Sequence, residues 1–256
     1  MERIQHHIVS WLHQYAERAK QDGFIVGISG GVDSALTSML CAETGLRTIL
    51  VSMPIHQQPD QLLRATYHIQ SLKAKYPNAV SFEVDLTQTF ETFRQSLSDD
   101  VAAHELSMAN SRSRLRMTTL YAIGQTHRCL VAGTGNKIED FGVGFYTKYG
   151  DGGVDISPIA DLTKSEVWAL ARHIGVDDAI ISAKPTDGLW GVDRTDEDQL
   201  GASYPELEWA MDYNGNEIEL NERQREVLSI YRRFNAMNQH KMQAIPVCII
   251  PKELKV

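Results

Sequence analysis

A doubly wound α/β fold, one parallel sheet with helices on both faces, is predicted by three observations. Short, wholly apolar runs recur along the first half of the chain, segments with helical apolar spacing separate them, and a glycine loop joins the first run to the helix after it. Each element follows in order. Ile4, Ile8, Trp11, Leu12, Tyr15 and Ala19 recur at helical spacing, and Gly23 is placed to end that helix. Phe24 to Ile28 suits a buried strand, and Ser34 to Ala42 reads as a helix. Strand, helix, strand and helix are then expected at Arg47–Met53, Gln58–Lys75, Val80–Val84 and about Leu86–Leu97. Asn110 to Thr126 is a helix and Cys129 to Ala132 a fourth strand. In such sheets ligands sit beyond the carboxyl ends of the strands, where residues 29–33 and 133–139 emerge.

After Gly142 the texture changes. Gly142 to Asp155 reads as an ordered loop, and a helix with Thr163 as its cap runs from Lys164 to His173. Residues 183–205 read as a long functional loop. The tail from Asn221 reads as a helix, a turn near His240 and a short final strand, Val247 to Ile250.

The 256 residues suffice for one large domain, and 43% hydrophobic with 23% charged residues is ordinary for a globular protein with a full core. A net charge of −8 argues against bulk attraction to nucleic acid. Cys41, Cys129 and Cys248 form no CxxC pair, as expected of thiols in a reducing compartment. The first twenty residues lack the apolar core of a signal peptide, and no run approaches the ~18 apolar residues of a membrane helix. A cytoplasmic protein with neither nucleic-acid nor membrane partners is the expectation. His6, His7, His56, His104, His127 and His173 show no metal-ligand spacing.

The loop Ser29-Gly30-Gly31-Val32-Asp33-Ser34 carries the chemistry. Glycines there let the backbone turn tightly and bring N–H groups against an anion, and the helix N-terminus behind adds partial positive charge. The bland alternative is a tight turn with Asp33 or Ser34 capping the helix. No Gly-Lys-Ser/Thr follows, so this is not a Walker A loop, and it lacks GxGxxG. Residue for residue it resembles the SGGxDS loop of the N-type ATP pyrophosphatase superfamily, whose adenine nucleotide alpha hydrolase-like fold holds the pyrophosphate leaving ATP on this loop.

Downstream segments narrow the resemblance. Asn110-Ser-Arg-Ser-Arg-Leu-Arg-Met-Thr-Thr-Leu-Tyr121, Gly133-Thr-Gly-Asn-Lys-Ile-Glu139, Phe145-Tyr-Thr-Lys-Tyr-Gly-Asp-Gly-Gly153, Asp155-Ile-Ser-Pro-Ile-Ala-Asp-Leu-Thr-Lys164, Lys184-Pro-Thr-Asp-Gly-Leu-Trp190, Thr195-Asp-Glu-Asp-Gln-Leu-Gly201 and Gln239-His-Lys241 follow in order. The set is similar to the ammonia-dependent NAD⁺ synthetase family over about residues 24–247. The resemblance implies a carbon–nitrogen ligase that adenylylates deamido-NAD⁺ with ATP and Mg²⁺, then lets ammonia displace AMP. It implies ATP at Gly27, Ile28, Ser29, Gly30, Gly31, Val32, Asp33, Ser34, Thr134, Lys164 and Thr186, with Asp33 and Lys164 catalytic. It implies metal at Asp33 and Glu139, and deamido-NAD⁺ at Arg114, Lys148, Asp155, His240 and Lys241. It also implies a homodimer.

Helical spacing puts Asn110, Arg114, Met117 and Tyr121 on one face, with Arg112 and Arg116 elsewhere. By itself Lys164, flanking a helix start with Glu166, reads as solvated surface. A single domain without a glutaminase unit, drawing on free ammonia or a separate ammonia source, is the expected organisation. Competing expectations are another adenylylating ligase, GMP-synthetase-like or tRNA-modifying, and a non-catalytic adenine-nucleotide sensor.

Overall fold

The structure, a computed structural model, describes residues 1–186 and 195–255. The chain runs α1 (Glu2–Ala19), β1 (Gly23–Gly27), α2 (Val32–Glu43), β2 (Arg47–Ser52), α3 (Pro59–Lys75), β3 (Ala79–Glu83), α4 (Thr87–Gln95), α5 (Asp99–Ala102), α6 (Glu105–Thr126) and β4 (Cys129–Val131). A six-residue π-helical stretch, Ile138–Val143, follows. Then come α7 (Lys164–Ile174), α8 (Asp178–Ile181), α9 (Asp196–Leu200), α10 (Tyr204–Asp212) and α11 (Glu222–Met242).

All strands are parallel, in the order β3-β2-β1-β4. The chain winds outward from β1 through β2 to β3, then returns to add β4 on the other side of β1. The loops leaving β1 and β4 therefore diverge, which opens a crevice at their carboxyl ends. Alternation along the strands divides the core. Phe24, Val26 and Leu50 face the helices α1, α2 and α7, while Ile25, Ile49, Val51 and Val131 face α4 and α6. A third cluster joins Ile138 and Val143 to α10 and α11 through Tyr204, Leu207, Val227 and Leu228. The doubly wound reading holds.

Boundaries differ where unexpected residues act as caps. α1 ends at Lys20, itself left-handed at φ 55°, and Gly23 instead begins β1. α6 starts at Glu105 rather than Asn110, because the His104 ring nitrogen accepts from Ser107 N in place of an ordinary cap. α11 runs through His240 to Met242, with no turn there. The expected final strand is absent among the described residues: Val247, Ile249 and Ile250 are exposed and pair with no sheet. Residues 183–205 are not all loop, since α9 and the start of α10 lie in them; Gly188, Trp190 and Gly191 fall outside the described residues.

One buried polar pair, with a titratable histidine, braces two helices beside the sheet. Ser38 Oγ donates to Ala35 O at 3.0 Å and so accepts from His68 Nε2 at 2.9 Å, tying α3 to α2. Burial pulls the His68 pKa down to about 4, against the opposing pull of Asp177. A depressed imidazole contributes stability above its unfolded pKa of about 6.5, lost as pH falls toward 4. Equilibrium urea unfolding should show the wild type losing roughly 3 kcal/mol more than His68→Leu between pH 7 and pH 4.

Candidate active site

The crevice is a cavity of about 750 Å³, lined by residues 27–34, the ends of β2 and β4, α3, α6, and the segments around 144–154, 183–186 and 234–241. At its floor the glycine loop turns from β1 into α2. Gly30 takes φ +84°, and a Cβ there would lie 2.4 Å from Gln61 O and 3.2 Å from Ala65 N. Only glycine fits both the left-handed backbone and that contact. Ser29 and Ser34 brace the turn from within, their hydroxyls 3.1 Å apart, with Gly31 N donating to Ser29 Oγ and Ser34 Oγ donating to Gly31 O. Gly30→Ala should therefore displace the loop. We expect a KM for ATP raised at least about tenfold, with a fall in thermal midpoint, because strain and overlap each cost about 1–3 kcal/mol.

Asp33 lies in the first turn of α2, where the helix dipole favours a carboxylate. Facing it is Lys164, the first residue of α7, behind a capping box in which Thr163 Oγ1 accepts from Glu166 N and Glu166 returns the bond to Thr163 N. An ammonium at a helix N-terminus opposes the dipole, and Lys164 is only 2% exposed. Two carboxylates compensate: Nζ reaches Asp33 Oδ2 at 2.7 Å and Glu139 Oε1 at 3.2 Å. Burial pulls the Lys164 pKa down, but the two carboxylates more than reverse this, so the group stays cationic with its pKa raised. The solvated-surface reading of Lys164 is overturned.

Glu139 comes from the π-helical stretch after β4. Burial, reinforced by Asp33, pushes its pKa up against the pull of Lys164. Tyr204 OH donates to Glu139 Oε1 at 2.6 Å, and burial beside these carboxylates holds the phenol protonated. Asn136, fully buried, donates to Asp33 Oδ1 at 3.2 Å, while its own oxygen accepts from the Ile138 and Glu139 amides. A single asparagine thus sets the spacing of the two carboxylates.

No group of three or more metal-type side chains occurs among the described residues. Asp33 and Glu139 nevertheless fit Mg²⁺, an ion that takes one or two carboxylates and completes its shell with water and phosphate oxygens.

The opposite wall holds the other expected residues. Arg114 Nε donates to Lys148 O at 3.3 Å, Lys148 Nζ to His240 O at 2.6 Å, and Lys241 Nζ to Gly144 O and Tyr146 O at 2.7 and 2.9 Å. Burial lowers the Lys241 pKa, with Asp151 opposing. Arg114, Lys148, His240 and Lys241 all line the cavity, as do Thr134 and Thr186. Asp155 does not line it: its carboxylate accepts from Tyr121 OH at 3.0 Å and Val131 N at 2.8 Å. Nor does Arg116 point away, for it lines the cavity while binding Met53 O and Gln57.

Gln57, Gln61 and Arg64, polar residues four and three apart on α3 and its approach, also line the cavity unforeseen. Their helical spacing was the available signal. Tyr204, deep in the third core cluster, carried none.

The NAD synthase model matches residues 4–245. The NH₃-dependent NAD⁺ synthetase of Carboxydothermus hydrogenoformans is 35% identical over 238 residues, 91% of this chain and 92% of its own length. That of Methanosarcina acetivorans is 34% identical, covering 96% and 97%. Among solved structures, the NMN synthetase of Francisella tularensis superposes with a TM-score of 0.84 at 29% identity over 98% of both chains. The NH₃-dependent NAD synthetase of Campylobacter jejuni gives 0.76 at 23% identity over 97% and 99%, a likeness of fold. The family match spans the glycine loop and the downstream segments, the relatives match along nearly the whole chain, and the protein belongs to the NAD synthase family.

Proposed function

We propose that this protein catalyses the ATP-dependent amidation of deamido-NAD⁺ to NAD⁺ with ammonia, through an adenylylated carboxylate. It is a carbon–nitrogen ligase. The observation that carries the reading is one cavity holding, at one end, the glycine loop with Lys164 between Asp33 and Glu139, and at the other Arg114, Lys148, His240 and Lys241.

The nicotinate carboxylate oxygen attacks the α-phosphorus of ATP, and the α–β bridging oxygen leaves with pyrophosphate. The amides of residues 29–34 and the α2 N-terminus receive that anion. Lys164 neutralises charge growing on the phosphates; Asp33 and Glu139 would hold Mg²⁺, which would supply further screening of the phosphate oxygens. Ammonia nitrogen then forms the C–N bond, gives up a proton, and AMP departs. No side-chain nucleophile is required; positioning of two anions does the work. Arg114, Lys148, His240 and Lys241 are assigned to deamido-NAD⁺, and Thr134 and Thr186 to ATP.

The enzyme acts as a homodimer of single-domain subunits in a reducing cytoplasm. Support comes from exposed Leu106 on α6, the uncovered Ile245, Val247 and Ile249 of the tail, and three cysteines that form no disulfide. Among the described residues no helix is long and apolar enough to cross a membrane. A monomer in sedimentation with full activity contradicts the dimer.

The fit to the Francisella tularensis NMN synthetase favours a second reading, in which the acid amidated is the nicotinate mononucleotide. Mixing ATP, Mg²⁺ and ammonium with each acid separates them. The first reading expects AMP and amide in equal amounts and a higher kcat/KM on the dinucleotide; the reverse preference selects the second. Pyrophosphate release dependent on some other acid defeats both.

A further inference from the structure

Departing pyrophosphate carries several negative charges, yet the Lys164 ammonium nearest the loop is already shared by Asp33 and Glu139. Lys148 and Lys241 also line the cavity, but their ammonium groups donate to backbone carbonyls. Arg64 stands at the loop itself. From α3 its Nε donates to Gly30 O at 3.2 Å. Among the described residues its Nη groups donate to no protein acceptor, and no carboxylate pairs with it. The side chain is half-buried and lines the cavity beside Gln61 and the glycine loop.

The placement is rigid. Gly30 packs against Gln61 O and Ala65 N so closely that a single added carbon would overlap, which sets α3 and Arg64 directly against the loop. Gly30 O is also a group an incoming anion would be repelled by, and the guanidinium hydrogen-bonded to it offsets its negative end. With Nε engaged by the loop, the paired Nη groups are left as a fork of preset orientation, suited to phosphate oxygens in a way an ammonium is not.

We propose that Arg64 is a second pyrophosphate anchor, holding the loop through Nε and the β- and γ-phosphates of ATP through its Nη groups. The proposal rests on the glycine loop being the seat of pyrophosphate. Its test uses the whole protein with Mg²⁺ and inorganic pyrophosphate as the probe, measuring product inhibition against ATP and KM for each substrate. Arg64→Ala should weaken pyrophosphate inhibition at least about tenfold and raise KM for ATP comparably, while KM for the nicotinate acid changes by less than about twofold. Arg64→Gln, able to keep a hydrogen bond to Gly30 O without charge, should behave like Arg64→Ala. Arg64→Lys should recover pyrophosphate affinity in part. Unchanged pyrophosphate inhibition in Arg64→Ala overturns the proposal, and so does wild-type inhibition in Arg64→Gln, which would leave Arg64 only a brace for the loop. Absence of pyrophosphate inhibition in the wild type overturns the loop assignment itself, even if the amide product forms.

Discussion

Lys164→Met should lower the rate of adenylylation by about 10²–10³-fold while leaving the fold intact. The loss follows from removing a buried, pre-oriented cation from the place where phosphate charge develops. A stability penalty accompanies it. Without the ammonium, Asp33 and Glu139 face each other across a largely buried gap, and breaking such a pair costs roughly 3 kcal/mol at neutral pH. The sign with pH is set by Glu139, whose pKa is already raised by burial and rises further once its cation is gone. A carboxylate with a raised pKa favours the folded state at low pH and disfavours it as pH climbs through that pKa. The thermal midpoint of the variant should therefore approach that of the wild type on moving from pH 7 to pH 5. A stability deficit that is constant across this range would remove the carboxylate pair as its cause.

Asp33→Asn is expected to abolish AMP formation to a similar degree, with a far smaller stability change. The amide keeps the shape and still faces Asn136, but it withdraws the charge that both Lys164 and a bound cation need. Glu139 remains beside Lys164, so the ammonium is not stranded, and a loss near 1 kcal/mol is expected. Binding of the nicotinate acid, which draws on the far wall, should be unaltered in equilibrium titration. Turnover at the wild-type rate would take Asp33 out of the mechanism.

The two variants exploit the part of the site that sequence made legible. Ser29 to Ser34 could be placed between strand and helix because strand, turn and cap signals are all local, and Thr163 could be recognised as a cap for the same reason. The burial of Lys164 could not. Nothing near it in the chain supplies its partners, which lie 131 and 25 residues away. Tyr204 is likewise invisible, being a core residue whose hydroxyl matters only once α10 packs over the π-helical stretch.

The end of α1 and the start of α6 are set by cap residues outside the usual set, a left-handed lysine and a histidine. The tail's apolar residues alternate in a β-like manner, but a strand also needs an edge to pair with, and pattern cannot supply one. Counting helix faces turns Arg116 away from the site, whereas its long side chain reaches around α6 to Met53 O and Gln57. Asp155 matched a motif, yet its carboxylate is occupied with Tyr121 and the Val131 amide.

The central claim, that the acid is activated by transfer of AMP to its carboxylate, is tested most directly with deamido-NAD⁺ carrying ¹⁸O in both carboxylate oxygens. Adenylylation followed by ammonia attack leaves one of those oxygens on AMP, so mass spectrometry should find AMP heavier by one ¹⁸O, formed in equal amount with unlabelled pyrophosphate. Unlabelled AMP, or ADP and labelled inorganic phosphate in its place, would contradict the account.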